Sequence, residues 1–378
     1  MKNKIKSIVW GCFFILIQNK SVSQFKSFKL NGVIHGIKNG NVQLVFEPTT
    51  DTAIILIKRS QVTLKNGKFS IDGKIRYPHY VRIVVNDSIA SNLFFTDYGN
   101  INGEFVLNSS QTLFSKVSSI TNLEYTNSYQ KEIKITNDRL DDLDTQYDLL
   151  SNKYENIPPE IEDSMQNVRK NIRANGDSVL YEYIGKHPDS YVALWDLIYN
   201  VRRGYSPLKS KSFYSLSSYL QNSITGSEIK KILKGQQMIS VNSIFPKIQV
   251  VDSLGNKYAI KSDLMGRYTL IDFWFSHCGP CVSEFPGLKK LYFDYKKKGF
   301  EILGISVDTK NDKLDWLKEI KNNELSWPQY WDTNYVEAMK LGISLFPTIF
   351  LLDNSGKIIA SNLKTNQIEK FLEEHLKE

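Results

Sequence analysis

The chain has 378 residues, 41% of them hydrophobic and 12% aromatic, which is enough for two or three domains with real cores and excludes an intrinsically disordered protein. Its formal net charge of +8 arises before residue 241, because residues 241–378 carry 18 basic and 18 acidic side chains. The basic residues form no stripe along the sequence. Nucleic acid is therefore not predicted as a partner, and the charges are interpreted as an ordinary solvated surface.

Residues 1–23 are predicted to be a cleaved secretory signal peptide. A positively charged start precedes an apolar stretch, 8–17, that is too short to span a bilayer. Small residues at 21–23 predict cleavage after Ser23, and an uncleaved anchor is the alternative. Cleavage would remove Cys12 and place the mature chain in the periplasm or cell envelope, where disulfides form and persist. No later run approaches the roughly 18 apolar residues of a spanning helix, so the mature chain is predicted to be soluble, with peripheral membrane association left open.

Residues 24–115 are predicted to form a small antiparallel β domain, either a sandwich or a barrel. Short runs alternate apolar and polar side chains, and turn-forming pairs such as Asn-Gly and Asp-Gly separate them. The predicted strands are 41–46, 53–57, 80–85, 92–95 and 103–107.

Residues 116–240 are predicted to be a helical segment. Apolar side chains recur there at steps of three and four, as at Leu140, Leu143, Tyr147 and Leu150. The prolines at 158–159 interrupt this pattern, and two further helices are predicted at 161–184 and 191–201. Asp189-Ser190 is predicted to cap the last of these.

Residues 241–378 alternate between strand and helix patterns. A β-α-β crossover followed by a β-hairpin and a helix predicts an α/β domain with a mixed sheet. The predicted strands are 247–252, 268–275, 300–307, 348–352 and 357–360, and the predicted helices are 279–297, 311–322, 335–341 and 365–377.

Beyond position 23 the sequence contains two cysteines, Cys278 and Cys281, separated by Gly279 and Pro280. They follow the apolar run 268–275 and open a predicted helix. Unpaired N–H groups and the positive dipole end at a helix N-terminus favour the thiolate of Cys278, which is the nucleophile in disulfide exchange. Cys281 lies one turn further on and can resolve a mixed disulfide. Gly279 leaves room for a partner, and Pro280 costs no hydrogen bond in the first turn. The pattern predicts a thiol–disulfide redox centre.

Other sites have less support in the sequence. A structural zinc site would need further ligands, and the chain has no second cysteine pair and five scattered histidines. The aspartates between 138 and 148 lack the glycine of a calcium loop and fit a helix face. A phosphate-binding glycine loop and a dinucleotide fingerprint are both missing, so neither metal nor cofactor is predicted. A purely structural disulfide remains the alternative to a redox pair.

Residues 241–378 resemble the α/β thioredoxin-like fold, in particular the TlpA-like and ResA-like envelope thiol–disulfide oxidoreductases. Two runs carry the resemblance: Ile271-Asp-Phe-Trp-Phe-Ser-His-Cys-Gly-Pro-Cys-Val-Ser-Glu-Phe-Pro286 and Leu345-Phe-Pro-Thr-Ile-Phe-Leu-Leu-Asp353. The similarity covers a little over a third of the chain. It implies that Cys278 attacks protein disulfides, or thiols after oxidation, and that Cys281 resolves the mixed disulfide. It also implies protein thiol or disulfide substrates and an upstream electron donor in the membrane.

The resemblance implies roles for two acidic residues. Asp272 matches the buried acid that helps Cys281 lose its proton, and strand alternation agrees with an inward position that would raise its pKa. An aspartate at an edge or bonded to backbone is the alternative. Glu284 matches an acid that modulates thiol acidity beside the active site. An exposed helix glutamate is its alternative.

Four further residues are predicted on the substrate side. Pro347 matches the cis-proline that faces the redox pair, with an ordinary trans proline as the alternative, and Phe346 would offer its backbone to an extended substrate. Trp274 matches the aromatic residue under the active-site loop, in core packing or in substrate contact. His277 departs from the usual tryptophan. As an imidazolium it would stabilise the thiolate and make the centre more oxidising, or it is simply an exposed loop residue.

The Gly-Pro dipeptide between the cysteines is that of reducing thioredoxins, whereas His277 favours an oxidant. The sequence therefore leaves the direction of electron flow open. Residues 24–237 resemble, more weakly, the β-plus-helical extension found before such domains in some Gram-negative envelope proteins. A docking or dimerisation role for this extension is a hypothesis, and no oligomeric state is predicted.

Two other functions stay open. A peroxiredoxin-type thiol peroxidase would place Thr or Ser three residues before its reactive cysteine and Pro seven before, where this chain has Phe275 and Ile271. A non-catalytic binding module would use the cysteines as a structural disulfide only.

Overall fold

The computed structural model describes residues 24–47, 55–57, 61–154, 157–260 and 266–376. The chain divides into two compact units, Met1–Ser119 and Ile120–Glu378. The predicted signal peptide and the start of the predicted strand 53–57 lie outside the described residues. None of the helices in the described ranges is long and apolar enough to cross a membrane.

The first unit contains two β-sheets. One has the strand order β10-β9-β1-β5-β3 and the other the order β4-β2-β6-β7, with β8 paired to β6. Phe94 and Phe105, one from each sheet, pack edge to face with ring centroids 5.6 Å apart. The strands are β1 (Lys26–His35), β2 (Gly40–Phe46), β3 (Ile55–Ile57), β4 (Gln61–Leu64), β5 (Lys68–Ile75), β6 (His79–Val85), β7 (Ile89–Ala90), β8 (Phe94–Thr96), β9 (Gly99–Leu107) and β10 (Leu113–Ser118).

The predicted β character of this unit is confirmed, but the sequence predicted only five of the ten strands in its described residues, and the pairing and the boundary also differ. Strands β1 and β9 run parallel, so the first sheet is mixed rather than antiparallel. Strand β10 pairs with β9 as far as Ser118, so the predicted boundary after residue 115 falls inside a strand. No local turn joins β1 to β9, so nothing near either strand in the sequence indicates their parallel pairing, whereas β9 and β10 form a hairpin across the short loop 108–112. The Asn66-Gly67 hairpin follows the sequence signal, with φ of 52° and 74° at the two turn residues.

The second unit begins with helices. A π-helical stretch, Tyr125–Tyr129, joins the first two. Ser190 caps α4 as predicted, because its side chain accepts a hydrogen bond from the Ala193 N–H at 3.0 Å. The helices are α1 (Ile120–Glu124), α2 (Gln130–Lys153), α3 (Pro159–Lys186), α4 (Tyr191–Val201), α5 (Pro207–Ser215), α6 (Ser218–Gln221) and α7 (Ile224–Met238).

A seven-stranded mixed sheet follows, with helices packed against it. Its order is β12-β11-β15-β14-β13-β16-β17, in which β13, β14 and β15 are parallel and β16 is antiparallel to β13. The strands are β11 (Ile248–Val251), β12 (Lys257–Ile260), β13 (Tyr268–Trp274), β14 (Phe300–Ser306), β15 (Gln329–Trp331), β16 (Thr348–Asp353) and β17 (Ile358–Ser361). The helices are α8 (Gly279–Tyr295), α9 (Lys313–Asn322), α10 (Val336–Lys340) and α11 (Thr365–His375). The predicted thioredoxin-like α/β fold is confirmed.

Two hydrophobic cores lie on the two faces of this sheet, and alternation along β13 distributes its side chains between them. Leu270 and Trp274 belong to the core that contains both cysteines, whereas Ile271 and Phe273 belong to the other. Asp272 alternates with Leu270 and Trp274, so it faces the same side as the cysteines. The strand thereby places one carboxyl group under the start of α8.

Candidate functional site: a disulfide at the start of a helix

Cys278 and Cys281 form a disulfide, with their Cα atoms 5.2 Å apart. Cys278 is the N-cap residue of α8, with extended backbone angles, and its sulfur accepts a hydrogen bond from the Cys281 N–H at 3.2 Å. Pro280 stands in the first turn. The sulfur of Cys278 therefore occupies the position where a helix N-terminus stabilises negative charge.

Both cysteines are buried, although the loop residues beside them are exposed. Cys278 is 4% exposed and Cys281 1% exposed, and partly buried side chains such as Phe275 and Phe346 pack against the same core. The residues that flank Cys278, His277 and Gly279, are exposed. The disulfide of the oxidised protein is thus covered by neighbouring side chains, while the loop that carries Cys278 faces solvent.

A buried aspartate that sequence reasoning missed anchors the loop before the cysteines. Asp308 accepts from the Ser276 N–H at 3.0 Å and from the Ser276 hydroxyl at 2.6 Å. The Ser306 hydroxyl also donates to it at 2.6 Å, and the Trp331 indole donates to its backbone oxygen at 2.7 Å. Ser276 follows β13 and Asp308 follows β14. The parallel order of these two strands was the available signal, because the ends of parallel neighbours meet at one edge.

Asp272 is buried, with 2% of its surface exposed, and within the described part of the chain its Oδ1 atom has no hydrogen-bond partner. Burial, and after it the charge of Glu284, raises the pKa of Asp272 to about 7. A carboxyl group with such a pKa can both take up and release a proton near neutral pH. The burial that strand alternation predicts is present, whereas the catalytic role remains a prediction.

Glu284 lies on α8, three residues after Cys281, and it is half-buried. Its carboxylate accepts a hydrogen bond from the hydroxyl of Thr365, the first residue of α11. The neighbouring Lys364 forms ion pairs of 3.1 and 3.2 Å with two acids of α3, Glu162 and Asp163. Glu284 is therefore held in place rather than free on a helix surface. Sequence reasoning did not find Thr365, because 81 residues separate it from Glu284.

The peptide bond between Phe346 and Pro347 is cis, as the resemblance implies. The Phe346 ring packs edge to face on Phe275 and Tyr335, with centroids 5.5 and 5.9 Å away. Phe275 accepts a backbone hydrogen bond from Cys278 at 3.0 Å, and Phe346 packs against the same core as the two cysteines. Across the described ranges, neither the backbone N–H nor the C=O of Phe346 has a hydrogen-bond partner.

Two of the residues predicted on the substrate side occupy the positions that their alternative interpretations describe. Trp274 has no exposed surface, donates to Gln329 Oε1 at 3.2 Å and packs edge to face on Phe285. Trp274 therefore packs in the core that contains both cysteines, as its core-packing interpretation has it, and it has no surface with which to contact a substrate. His277 is exposed, as its alternative interpretation has it, and its Nε2 lies 3.3 Å from Asp315 Oδ2. The imidazole therefore contacts an acidic side chain of α9.

His277, Asp312 and Asp315 each bring one potential metal ligand within 4.8 Å of the others. All three are exposed or only half-buried. Exposed acidic side chains commonly cluster in this way at the start of a helix, so we assign no metal role to this group.

Comparison with known proteins supports the interpretation of this site. Residues 241–361 match the AhpC/TSA family. The thiol-disulfide oxidoreductase ResA of Bacillus thuringiensis is 31% identical over 142 residues, which are 38% of this chain and 80% of that protein. ResA of Geobacillus kaustophilus is 31% identical over 138 residues, 36% of this chain and 78% of that protein.

Among solved structures, the thioredoxin domain of a thiol-disulfide oxidoreductase from Bacteroides vulgatus is 37% identical, with a TM-score of 0.32, and the match covers 35% of this chain and 97% of that domain. A thioredoxin-like protein from Bacteroides caccae is 18% identical, with a TM-score of 0.41, and the match covers 57% of this chain and 84% of that one.

Proposed function

The chain belongs to the ResA-like thiol–disulfide oxidoreductases, and from this premise we propose that Cys278 and Cys281 are its redox pair and that it exchanges disulfides with proteins. One observation carries the proposal. The two sulfur atoms form a disulfide at the N-terminus of α8, where the Cys281 N–H donates to the Cys278 sulfur. A thiolate formed there on reduction is stabilised by the same N–H and by the helix dipole.

In the reducing direction the Cys278 thiolate attacks one sulfur of a substrate disulfide. The substrate S–S bond breaks, its second sulfur leaves as a thiolate, and Cys278 is joined to the substrate. The Cys281 thiolate then attacks the Cys278 sulfur, which re-forms the Cys278–Cys281 disulfide and releases the second substrate thiolate. Two electrons pass from the cysteine pair to the substrate, and the reverse sequence oxidises a dithiol.

The resolving thiol must lose a proton, and Asp272 is the proposed acceptor. It faces the cysteine side of the sheet, and its pKa of about 7 lets it accept a proton near neutral pH and return it later. Glu284 raises this pKa by its charge and is therefore proposed as a tuning residue. Both roles rest on burial and electrostatics inside the fold.

The substrate is proposed to bind as an extended segment beside Phe346, whose backbone N–H and C=O have no hydrogen-bond partner among the described residues. Extended peptides commonly bind by adding hydrogen bonds to such free backbone groups. The substrates are accordingly proteins with thiols or disulfides in exposed, extended segments.

Export is part of the proposal. The sequence features of residues 1–23 support a cleaved signal and a periplasmic or envelope location, and an electron donor in the membrane would then keep the pair reduced. Fractionation of cells that express the full chain tests the location. Recovery of an unprocessed chain in the cytoplasm would contradict it.

Insulin reduction in the presence of dithiothreitol tests the redox function. The full chain is expected to accelerate insulin precipitation, and Cys278→Ser is expected to abolish the acceleration. Cys281→Ser, reduced beforehand and then freed of dithiothreitol, is expected to trap a mixed disulfide with insulin. Insulin reduction that survives Cys278→Ser would show that another group is responsible. No reduction by the wild-type chain would favour a binding module with a structural disulfide.

A thiol peroxidase is the second candidate, because the family matched by residues 241–361 is AhpC/TSA. Phe275 and Ile271 stand where peroxidases of this type have a hydroxyl side chain and a proline. We therefore expect hydrogen peroxide consumption no faster than that of a free thiol. A rate far above that value would replace the oxidoreductase proposal.

A further inference from the structure

The last helix of the helical segment, α7, meets the backbone just before the cis-proline loop. A Cβ atom on Gly235 would lie 2.3 Å from the Lys340 carbonyl oxygen. On the opposite side, a Cβ atom on Gly342 would lie 2.5 Å from the Ile232 carbonyl oxygen. Gly342 also has a φ of +67°, which favours glycine. Two glycines thus let the backbones of α7 and of residues 340–342 touch directly.

Side-chain hydrogen bonds reinforce this contact. Gln236 is 5% exposed, and its Nε2 donates to the Val201 carbonyl at 2.7 Å and to the Gly342 carbonyl at 3.1 Å. Two residues further along the loop, the Ser344 hydroxyl donates to the Arg202 carbonyl at 2.9 Å. The end of α4 is therefore attached to residues 342–344 at two points, one of them through Gln236.

The redox domain holds the same loop from its other side. The Tyr335 hydroxyl donates to the Ile343 carbonyl, and the Tyr335 ring packs on Phe346. With both sides held, the loop presents the unpaired backbone of Phe346 and the Leu345 side chain, which is 55% exposed. Backbone groups that bind an extended strand must be fixed in position before binding, because ordering them on binding would cost affinity.

We propose that the helical segment is a structural part of the substrate-binding site, with Gln236 as the positioning residue that fixes residues 342–346 for an extended peptide. The partner is a peptide segment that offers its own backbone N–H and C=O to Phe346 and an apolar side chain to Leu345. The proposal rests on the proposed function, since it concerns the substrate of the same redox pair.

The test compares a protein disulfide with a small one in the full chain. Gln236→Met keeps the length of the side chain and removes both hydrogen bonds. We expect the KM for insulin to rise about tenfold, which corresponds to the loss of one or two well-placed hydrogen bonds, while kcat changes little. The rate with 5,5′-dithiobis(2-nitrobenzoate), which has no peptide backbone, is expected to stay unchanged.

Gln237→Met is the matched control, because Gln237 is the next residue on the same helix and is exposed. It is expected to behave as the wild type with both substrates. Ser344→Ala removes only one hydroxyl and is expected to raise the KM for insulin about threefold without unfolding the chain.

The inference is overturned if Gln236→Met and Ser344→Ala reduce insulin with the wild-type KM, or if both variants lose activity on the two substrates in parallel. A wild-type chain that does not reduce insulin at all would instead overturn the proposed function, and the inference with it. The two failures are thus distinguishable from the wild-type measurement alone.

Discussion

Asp308 accepts hydrogen bonds from both the backbone N–H and the hydroxyl of Ser276, which stands two residues before Cys278. Because Asp308 is 4% exposed, water cannot readily replace it as the acceptor. The loop that carries the cysteine pair is thereby fixed to the end of β14.

Asp308→Ala is expected to lower the free energy of unfolding by about 3 kcal/mol, because the buried donors of Ser276 and Ser306 would lose their acceptor. Urea unfolding of the oxidised protein measures this. Asp294→Ala removes an exposed aspartate of α8 and is expected to change the stability by no more than about 0.5 kcal/mol. Equal effects of the two substitutions would contradict the anchoring role.

Asp272→Asn is expected to stabilise the oxidised protein above neutral pH and to leave it nearly unchanged near pH 4. The pKa of Asp272 rises from 3.8 to about 7 on folding, so the native state binds this proton more tightly than the unfolded chain. The wild type therefore loses stability as the pH rises from about 4 to about 7, whereas an uncharged asparagine loses none. The gain above pH 7 should reach a few kcal/mol, since one pKa unit is about 1.4 kcal/mol.

Urea midpoints measured across this pH range for wild type and Asp272→Asn provide the comparison. The difference between the two proteins should grow with pH and level off above about 7. A constant difference at every pH would mean that Asp272 does not titrate as its buried position implies.

Glu284→Gln is expected to lower the pKa of Asp272, because it removes a nearby like charge, while burial still holds that pKa above its ordinary value. A carbon-13 NMR titration of the Asp272 carboxyl in the oxidised protein reports this directly. Glu324→Gln replaces an exposed glutamate and serves as the control, which should leave the titration midpoint of Asp272 unchanged. An unshifted midpoint in Glu284→Gln would argue against the tuning role.

His277→Ala is expected to leave the thiol pKa of Cys278 unchanged in the reduced protein. The imidazole Nε2 lies 3.3 Å from the Asp315 carboxylate, and 63% of the His277 side chain is exposed, so this carboxylate and the solvent weaken its electrostatic effect on the thiol. The rate of alkylation of Cys278 as a function of pH gives the measurement. A clear rise in the thiol pKa would restore the electrostatic role that the sequence suggests for this residue.

The local pattern predicted most of the redox domain correctly. Strand β13 runs into Cys278 and α8 begins at Gly279, because an apolar run, a capping position and a proline in the first turn are all encoded within twenty residues of one another. Strands β12 and β15 were missed because they have only four and three residues, which is too short to display an alternating pattern. The parallel pairing of β1 with β9 was missed because strand direction is decided by the sheet and not by either strand.

By itself, the sequence determined the position of the cysteine pair, the helix it opens and the family to which the chain belongs, since these depend on neighbouring residues and on short motifs. Only the tertiary structure decided which side chains support that pair. Asp308 bonds Ser276 across 32 residues, Thr365 bonds Glu284 across 81 and Gln236 bonds Gly342 across 106. No periodicity in the sequence connects such partners, because the packing of strands and helices brings them together only after the chain has folded.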